Sequence, residues 1–135
     1  MIQRWMFTMR WTRGGAMKVQ RGEIVLIDFP YSDRSGRKVR PTLVVQSDVL
    51  NQYIDDTILA VITSSSRRRV GSSSQYFIDI STEEGKQTGL HMNSIVQCEN
   101  LVTQDQNLIL QVIGRLSDSA MQQIDDCLKS ALGIQ

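Results

Sequence analysis

Residues 21–46 read RGEIVLIDFPYSDRSGRKVRPTLVVQ, and this stretch contains the first two hydrophobic segments of the chain. The segment 23–29 is short, apolar and rich in branched side chains, and it is bounded by Gly22 and Pro30. These features are typical of a strand with both faces largely buried. The turn-forming residues within 31–38 predict a loop after this strand.

A second strand is predicted over 42–46, with Pro41 at its opening, where a sheet does not need the missing proline N–H. The segment 47–56 has room for one helical turn. Further strand patterns follow at 57–63, which is the strongest candidate for a central strand, at 75–80, at 94–99 with a continuation at 101–103 past a bend, and at 108–114.

The C-terminal segment 116–132 changes from strand to helical periodicity, and we predict one long helix there. Ser117 is suited to the N-cap and Gly133 to the position just after the helix. Apolar residues recur at intervals of three and four, namely Met121, Ile124, Leu128 and Ala131. Five or six short strands and a terminal helix, without alternating strand and helix units, predict an α+β domain around a small barrel.

The length of 135 residues, 41% of them hydrophobic and 21% charged, indicates one globular domain. No apolar run approaches the roughly 20 residues that span a bilayer, and no signal-peptide core is present, so we expect a cytoplasmic location. Residues 1–20 lack a sustained period and are predicted to be a disordered extension, with Met17 as a plausible second start. The folded domain is then 21–135.

Cysteine and histidine usage excludes several chemistries. Cys98 and Cys127 are too few for a disulfide framework and lack zinc-site spacing, so they are expected to be buried apolar residues. His91 is the single histidine, which excludes a nuclease that pairs two imidazoles and a histidine-rich metal site. We expect neither a metal nor a cofactor.

Basic residues are unevenly distributed along the chain. Residues 1–22 hold five of them and no acid, and most of the others fall in two clusters, Arg34-Arg37-Lys38-Arg40 and Arg67-Arg68-Arg69. Because both clusters adjoin strands that are expected to converge, they indicate contact with an anion such as a nucleic-acid phosphate. Solvated loop tips would give the same pattern, and charge alone does not separate RNA from DNA or from an acidic protein.

Three later motifs follow the stretch 21–46 in a fixed order. They are Ile-Thr-Ser at 62–64, Gly89-Leu90 ahead of Ser94-Ile95-Val96, and Ile-Gly-Arg-Leu-Ser at 113–117. Taken together, these pieces resemble the PemK/MazF family of growth-arrest toxins, which are RNA endonucleases of toxin–antitoxin pairs. The resemblance covers roughly 21–133, and the combination is specific although no single piece is.

The resemblance implies an SH3-like barrel with a C-terminal helix, a homodimer, a cognate antitoxin, and metal-independent cleavage of single-stranded RNA. In that reaction the 2′-hydroxyl attacks the neighbouring phosphate, leaving a cyclic phosphate and a free 5′-hydroxyl. The family's arginine before proline matches Arg40, and its threonine at a strand end matches Thr63. A guanidinium fork suits phosphate oxygens, and hydroxyls at Thr63, Ser64 and Ser65 can donate to them.

The general base is an open question at this stage. Some relatives have an Arg-x-Asp pair after the valine that matches Val96, whereas this chain has Gln97-Cys98-Glu99. Glu99 is therefore the candidate for base or orienting group, or it is a plain solvated acid at a strand end. Other relatives have a histidine in the first loop, where this chain has Asp33 and Arg34.

RNA contacts are expected from the loops 31–39 and 64–74. Bases of a single strand can stack on Tyr31 or on arginine planes, although Tyr31 can equally be a packed loop anchor. Phosphates are expected to meet the basic and hydroxyl groups of these loops, namely Arg34, Arg37, Lys38, Ser64, Ser65, Arg67, Arg68 and Arg69.

Several alternatives remain open. Arg40 can be a surface ion-pair partner of Asp33 or Asp48, and Thr63 a β-branched strand end. The same barrel also serves toxins that bind a protein such as DNA gyrase instead of cutting RNA. Those are recognised by a C-terminal sequence that residues 130–135 do not show. A non-catalytic RNA-binding domain is a third possibility.

Overall fold

A computed structural model describes residues 18–30, 37–67 and 72–135 of the chain. The strands are β1 (Glu23–Pro30), β2 (Arg37–Val44), β3 (Asp56–Ser64), β4 (Gln75–Ile78), β5 (Ser94–Asp105) and β6 (Gln111–Arg115). The helices are α1 (Asp48–Tyr53), α2 (Glu83–Lys86) and α3 (Asp118–Leu132), and short 3-10 turns lie at Ser65–Arg67 and Gln106–Leu108.

The six strands form one antiparallel sheet in the order β4-β5-β3-β2-β1-β6. The sheet is curled, and this is shown by the chain that follows β4, which contacts β6, the strand at the opposite edge. There the Arg115 N–H of β6 donates to the Gln87 carbonyl oxygen over 3.0 Å. Gly114 lies so close to Gln87 and Thr88 that a side chain would collide with their backbone. The predicted α+β fold, a small SH3-like barrel of five or six strands with a C-terminal helix, is confirmed as a curled six-stranded sheet with that helix.

Each face of the sheet carries its own hydrophobic cluster. One cluster joins the sheet to α3, and it includes Leu43, Ile62, Val96, Cys98, Met121, Ile124 and Cys127. The other includes Val19, Val25, Ile27, Val44, Leu59, Ile109 and Val112. Because full burial of one such side chain contributes roughly 1.5–3 kcal/mol, packing on both faces holds the strand ends in place.

The helix α3 confirms the periodicity argument, including both of its ends. The Ser117 hydroxyl accepts a hydrogen bond from the Ala120 N–H at 3.1 Å, which is the N-cap arrangement. Gly133 adopts a left-handed φ of 73° just after the last turn. The predicted helical turn in 47–56 is also present, as α1 with Ser47 as its N-cap.

The strand β2 is longer than the sequence predicts, and Pro41 lies inside it instead of at its opening. Pro41 pairs with Leu26 of β1. The Leu26 carbonyl oxygen accepts from the Leu110 N–H at 2.9 Å, on the side of β1 that faces away from β2. Leu26 and Pro41 therefore face each other without ladder bonds, and the pairing of β2 with β3 begins only at Thr42. Proline costs the sheet no hydrogen bond at this position.

The predicted boundary between the N-terminal extension, 1–20, and the folded domain lies too far toward the C-terminus. The side chain of Val19 is only 1% exposed, and its N–H donates to Gln106 Oε1 at 3.0 Å. The folded domain therefore includes Val19, while residues 1–17 lie outside the described residues. Gln106 belongs to a 3-10 turn, Gln106–Leu108, that Asp105 caps, and β6 therefore begins at Gln111 instead of residue 108.

Candidate active site

A cleft of about 620 Å³ opens at one end of the sheet, where β2 begins and β3 ends beside the segment that leads into β5. The strand register explains its position. Thr42 of β2 pairs with Val61 of β3, so Arg40 and Thr63, two residues beyond that pair on antiparallel strands, reach the same end of the sheet. Arg40 and Thr63 both line the cleft.

Arg40 and Lys38 supply the positive charge of the cleft. Both lie on β2, where Arg40 pairs with Ile27 and Lys38 with Phe29. Lys38 is exposed, whereas Arg40 is half-buried and its Nε atom is fully enclosed by protein. A guanidinium held in a wall by its own strand is a fixed, permanently charged group, which is the property that anion binding requires.

Hydroxyl groups line the side of the cleft that β3 forms. Thr63 pairs with Ile95 of β5, and Ser64 pairs with Ser94. The hydroxyls of Ser64 and Ser66 lie 3.0 Å apart, and the Ser66 N–H donates to Ser64 Oγ at 3.2 Å. The 3-10 turn after β3 therefore folds Ser66 back onto Ser64, and both residues line the cleft.

The structure brings together four of the residues predicted from the sequence, namely Lys38, Arg40, Thr63 and Ser64. Ser65 lies next to them on the 3-10 turn but does not line the cleft. Arg37 is the first residue of β2, and Arg67 is the last residue of that turn. Their side chains lie outside the described part of the chain, as do the residues Tyr31, Arg34, Arg68 and Arg69.

Glu99 is not among the described residues that line the cleft, and its role as base or orienting group stays a prediction. Glu99 lies four residues past Ile95, the partner of Thr63, which is roughly 13 Å along an extended strand. Its carboxylate accepts hydrogen bonds from Ser74 Oγ at 2.8 Å and Gln75 Nε2 at 2.7 Å. The β3–β5 register breaks between Gln97 and Leu101, and Glu99 lies within this break with its side chain exposed.

The cleft also has lining residues that were not predicted as site residues, among them His91, Met92 and Ser66. His91 and Met92 lie between Gly89-Leu90 and Ser94, inside one of the motifs that carry the family resemblance. In that motif the glycine and the serine carry the resemblance, and the residues between them do not contribute to it. The signal for His91 is its position between two fixed points of the chain.

The described lining of the cleft has a simple charge pattern. Its charged side chains are Lys38 and Arg40, and no Asp or Glu is among the described lining residues. The floor is apolar and is formed by Leu26, Ile62, Leu90 and Ile113. Such a site suits an anion that also presents a flat apolar surface, as a nucleotide does. Elsewhere in the described ranges, no three His, Cys, Asp or Glu side chains are grouped as a metal site.

The two cysteines lie in the core as predicted, away from the cleft. Burial raises the pKa of the Cys98 thiol to about 12, and the nearby Cys127 and Glu99 add to this effect. Burial also raises the pKa of Cys127. Both residues are free thiols packed between the sheet and α3. A thiol that resists ionisation is a poor nucleophile, so these cysteines are structural.

The fold and the cleft define a class of small curled-sheet proteins with a cationic, hydroxyl-lined cleft at one end of the sheet. Over residues 20–132 the sequence matches the family of PemK-like, MazF-like toxins of type II toxin–antitoxin systems. The chain belongs to this family. In the portion that the structure describes, no helix is long and apolar enough to span a membrane.

Individual relatives agree with this assignment. Endoribonuclease EndoA of Bacillus subtilis is 27% identical over 119 residues, which cover 87% of this chain and 97% of that protein. An endoribonuclease from a mycobacterial species, solved with its cognate antitoxin, superimposes with a TM-score of 0.69 at 20% identity, covering 87% of this chain and 97% of that chain. A MazE–MazF structure from Deinococcus radiodurans gives 0.65 at 17% identity, covering 88% and 100%. At these identities the solved structures show the shared fold.

Proposed function

We propose that this chain is the toxin of a toxin–antitoxin pair and acts as a metal-independent endoribonuclease on single-stranded RNA, including mRNA, to arrest growth. The observation that carries the proposal is the convergence of Arg40, Thr63 and Ser64 in one cleft. The family membership and the relative named as an endoribonuclease support it.

The proposed reaction is attack by the 2′-hydroxyl on the neighbouring phosphorus. The oxygen of that hydroxyl forms a bond to phosphorus, and the bond from phosphorus to the 5′-oxygen breaks. The products are a 2′,3′-cyclic phosphate and a free 5′-hydroxyl. The phosphorane formed on the way carries two negative charges, so fixed donors and positive charge lower its energy most.

Arg40 is the residue we propose to bind that phosphorane. Its guanidinium presents two parallel N–H donors that match two phosphate oxygens. Because the neighbouring Pro41 and the pairing with Ile27 fix the strand, the donors need little reorganisation when charge develops. Thr63 is proposed to donate its hydroxyl to a nonbridging oxygen or to hold the attacking group, with Ser64 beside it.

We propose that the RNA strand continues from the cleft over the two basic clusters. Lys38 lines the cleft, and Arg37 begins the same strand, so the first cluster reaches the site directly. Arg34, together with 67–69, would extend the phosphate path, and Tyr31 would stack on a base. Base contacts from these loops would set the cleavage sequence.

We further propose a homodimer, a cognate antitoxin partner and a cytoplasmic location. The mycobacterial and Deinococcus relatives were solved with antitoxins, which supports the second proposal. An antitoxin segment rich in acidic and apolar residues would fit a cleft with cationic walls and an apolar floor. Cellular mRNA is the substrate proposed here, which supports the location.

The test is to incubate the purified chain with a mixed RNA pool in excess EDTA and to determine the chemistry of the fragment ends. We expect cleavage that yields 5′-hydroxyl and 2′,3′-cyclic phosphate ends. Cleavage only after addition of a divalent cation would contradict the metal-independent mechanism. Intact RNA under all conditions would contradict the enzyme and would favour a protein-binding toxin of the same fold, or a non-catalytic RNA-binding domain.

A further inference from the structure

We propose that His91 is a catalytic residue that takes the proton from the attacking 2′-hydroxyl. This inference rests on the endoribonuclease activity proposed above and assigns the general base to a residue that lines the cleft, as Glu99 does not. His91 lines the same cleft as Arg40, Thr63 and Ser64, and it lies on the segment between α2 and β5.

The segment that carries His91 is joined directly to the strand end that carries Thr63. Ser64 pairs with Ser94, and the Ser65 N–H donates to the Asn93 carbonyl oxygen at 3.1 Å. His91 lies two residues before Asn93. His91 is therefore only two or three residues away from the backbone positions that are bonded to Ser64 and Ser65.

The same segment is fixed on both sides of His91. On one side, the Leu90 N–H donates to Thr88 Oγ1 at 3.2 Å, and Gly89 packs directly against the Ile113 carbonyl oxygen of β6. On the other side, Ser94 Oγ donates to the Met92 carbonyl oxygen at 2.8 Å. A general base must be held in place near the proton it removes, and the fixed backbone on both sides of His91 restricts where its imidazole can lie.

The choice of His91 follows from the chemistry of the described lining. Arginine and lysine side chains carry donors and no acceptor in their charged forms, so Arg40 and Lys38 do not remove a proton. Serine and threonine hydroxyls are too weak as bases to do so. Imidazole is the side chain that ordinarily gains and loses a proton near neutral pH, and His91 is the only one in the sequence.

The proposed step forms one bond to phosphorus, breaks another and moves one proton to His91. A ring nitrogen of neutral His91 takes the proton of the 2′-hydroxyl while the 2′-oxygen bonds to phosphorus. Arg40 binds the charge on the nonbridging oxygens. The 5′-oxygen leaves with the electron pair of the broken bond and takes a proton from water. The imidazolium then releases its proton to solvent, which restores the enzyme.

The test compares His91→Ala and His91→Gln with wild type on an oligonucleotide that wild type cleaves, under single-turnover conditions in EDTA. We expect both variants to lose about 10²- to 10⁴-fold in rate, the usual contribution of a general base. Affinity for the 2′-O-methyl form of the oligonucleotide and the melting temperature should stay close to wild type, because His91 is exposed. Gln123→Ala, an exposed substitution on α3, is the control and should leave the rate unchanged.

A second substrate separates a base from an acid. In an oligonucleotide with sulfur in place of the 5′-bridging oxygen, the leaving thiolate needs no proton. If His91 is the base, His91→Ala should be as slow on this substrate as on normal RNA, relative to wild type. Restoration of the rate by sulfur would overturn the proposal and make His91 the acid.

Two further results would also overturn the proposal. Wild-type rates in either variant would remove His91 from the reaction, and a loss confined to binding would make it an RNA contact. If wild type cleaves no RNA at all, both this inference and the proposed function fail, whereas wild-type cleavage with active His91 variants refutes this inference alone.

Discussion

Replacing Gly89 with alanine should destabilise the protein and slow RNA cleavage together. Gly89 has a φ of 78°, and a side chain there would collide with the backbone carbonyl of Ile113. The left-handed conformation costs an alanine about 1 kcal/mol. Forcing a methyl group against fixed backbone adds about 1–3 kcal/mol. The expected loss of unfolding free energy is therefore about 2–4 kcal/mol, or roughly 6–12 °C in melting temperature for a chain of this size.

The effect on cleavage follows from what Gly89 positions. Relief of the collision must move the segment 89–92 away from β6, and with it His91 and Met92 in the cleft wall. A displacement of about 1 Å in a catalytic group can cost on the order of 10²-fold in rate. Thermal unfolding and single-turnover cleavage, measured well below the new melting temperature, give the two quantities separately.

Two other glycines are matched controls. Gly133 has a φ of 73°, and no atom lies within 4 Å of the point that an alanine methyl group would occupy, so Gly133→Ala isolates the conformational cost, about 1 kcal/mol, and should leave cleavage unchanged. Gly114 has no positive φ but lies against the Gln87 carbonyl, so Gly114→Ala isolates the collision. If Gly89→Ala melts like Gly133→Ala and cleaves like wild type, the packing of 89–92 against β6 is refuted.

Three more predictions concern other parts of the chain. The pKa of Cys98 is raised to about 12, so the protonated thiol's contribution to the free energy of unfolding should be complete below about pH 9 and lost as pH rises toward 12. Urea unfolding at a series of pH values should show this loss of stability, and Cys98→Ala should show a smaller loss. Removal of residues 1–16 should leave the melting temperature unchanged. Removal of 1–19 should lower it by roughly 5–9 °C, because buried Val19 contributes about 1.5–3 kcal/mol to the free energy of unfolding. Equal melting temperatures for the two truncated proteins would contradict this. Alanine at 67–69 should reduce the slope of log binding constant against log salt concentration, for binding to 2′-O-methyl RNA, by roughly 0.7 per lost phosphate contact. Lysine at the same positions should preserve the slope. An unchanged slope with alanine would make this cluster a solvated loop tip.

The strands and the long helix were predictable because local patterns determine them. Both sheet faces are buried around β1 and β3, and this produces continuous apolar runs that the sequence displays. The helix α3 buries one stripe and shows it in its period. The position of Pro41 inside β2 was not predictable. It depends on which residues of β1 direct their carbonyl groups toward β6, and this is set by a long-range strand pairing.

The candidate site was predictable only where residue chemistry and strand ends coincide. Arg40 lies in the first half of β2 and Thr63 near the end of the antiparallel neighbour β3, so a correct strand order brings them together. Glu99 lies among three residues of β5 that have no partner in β3, and the sequence shows no sign of this irregularity. His91 was missed because it lies in a loop with no period, and only the contacts of Gly89 and Asn93 place it.

The claim that this cleft carries out phosphoryl transfer depends most directly on Arg40. The decisive measurement is the single-turnover cleavage rate of Arg40→Lys in EDTA, with circular dichroism and a thermal melt to verify the fold. Lysine keeps the charge and loses the two-pronged donor, so we expect a loss of about 10²- to 10³-fold in rate. A folded Arg40→Lys that cleaves RNA within a few-fold of wild type would contradict the assignment of this cleft as the active site.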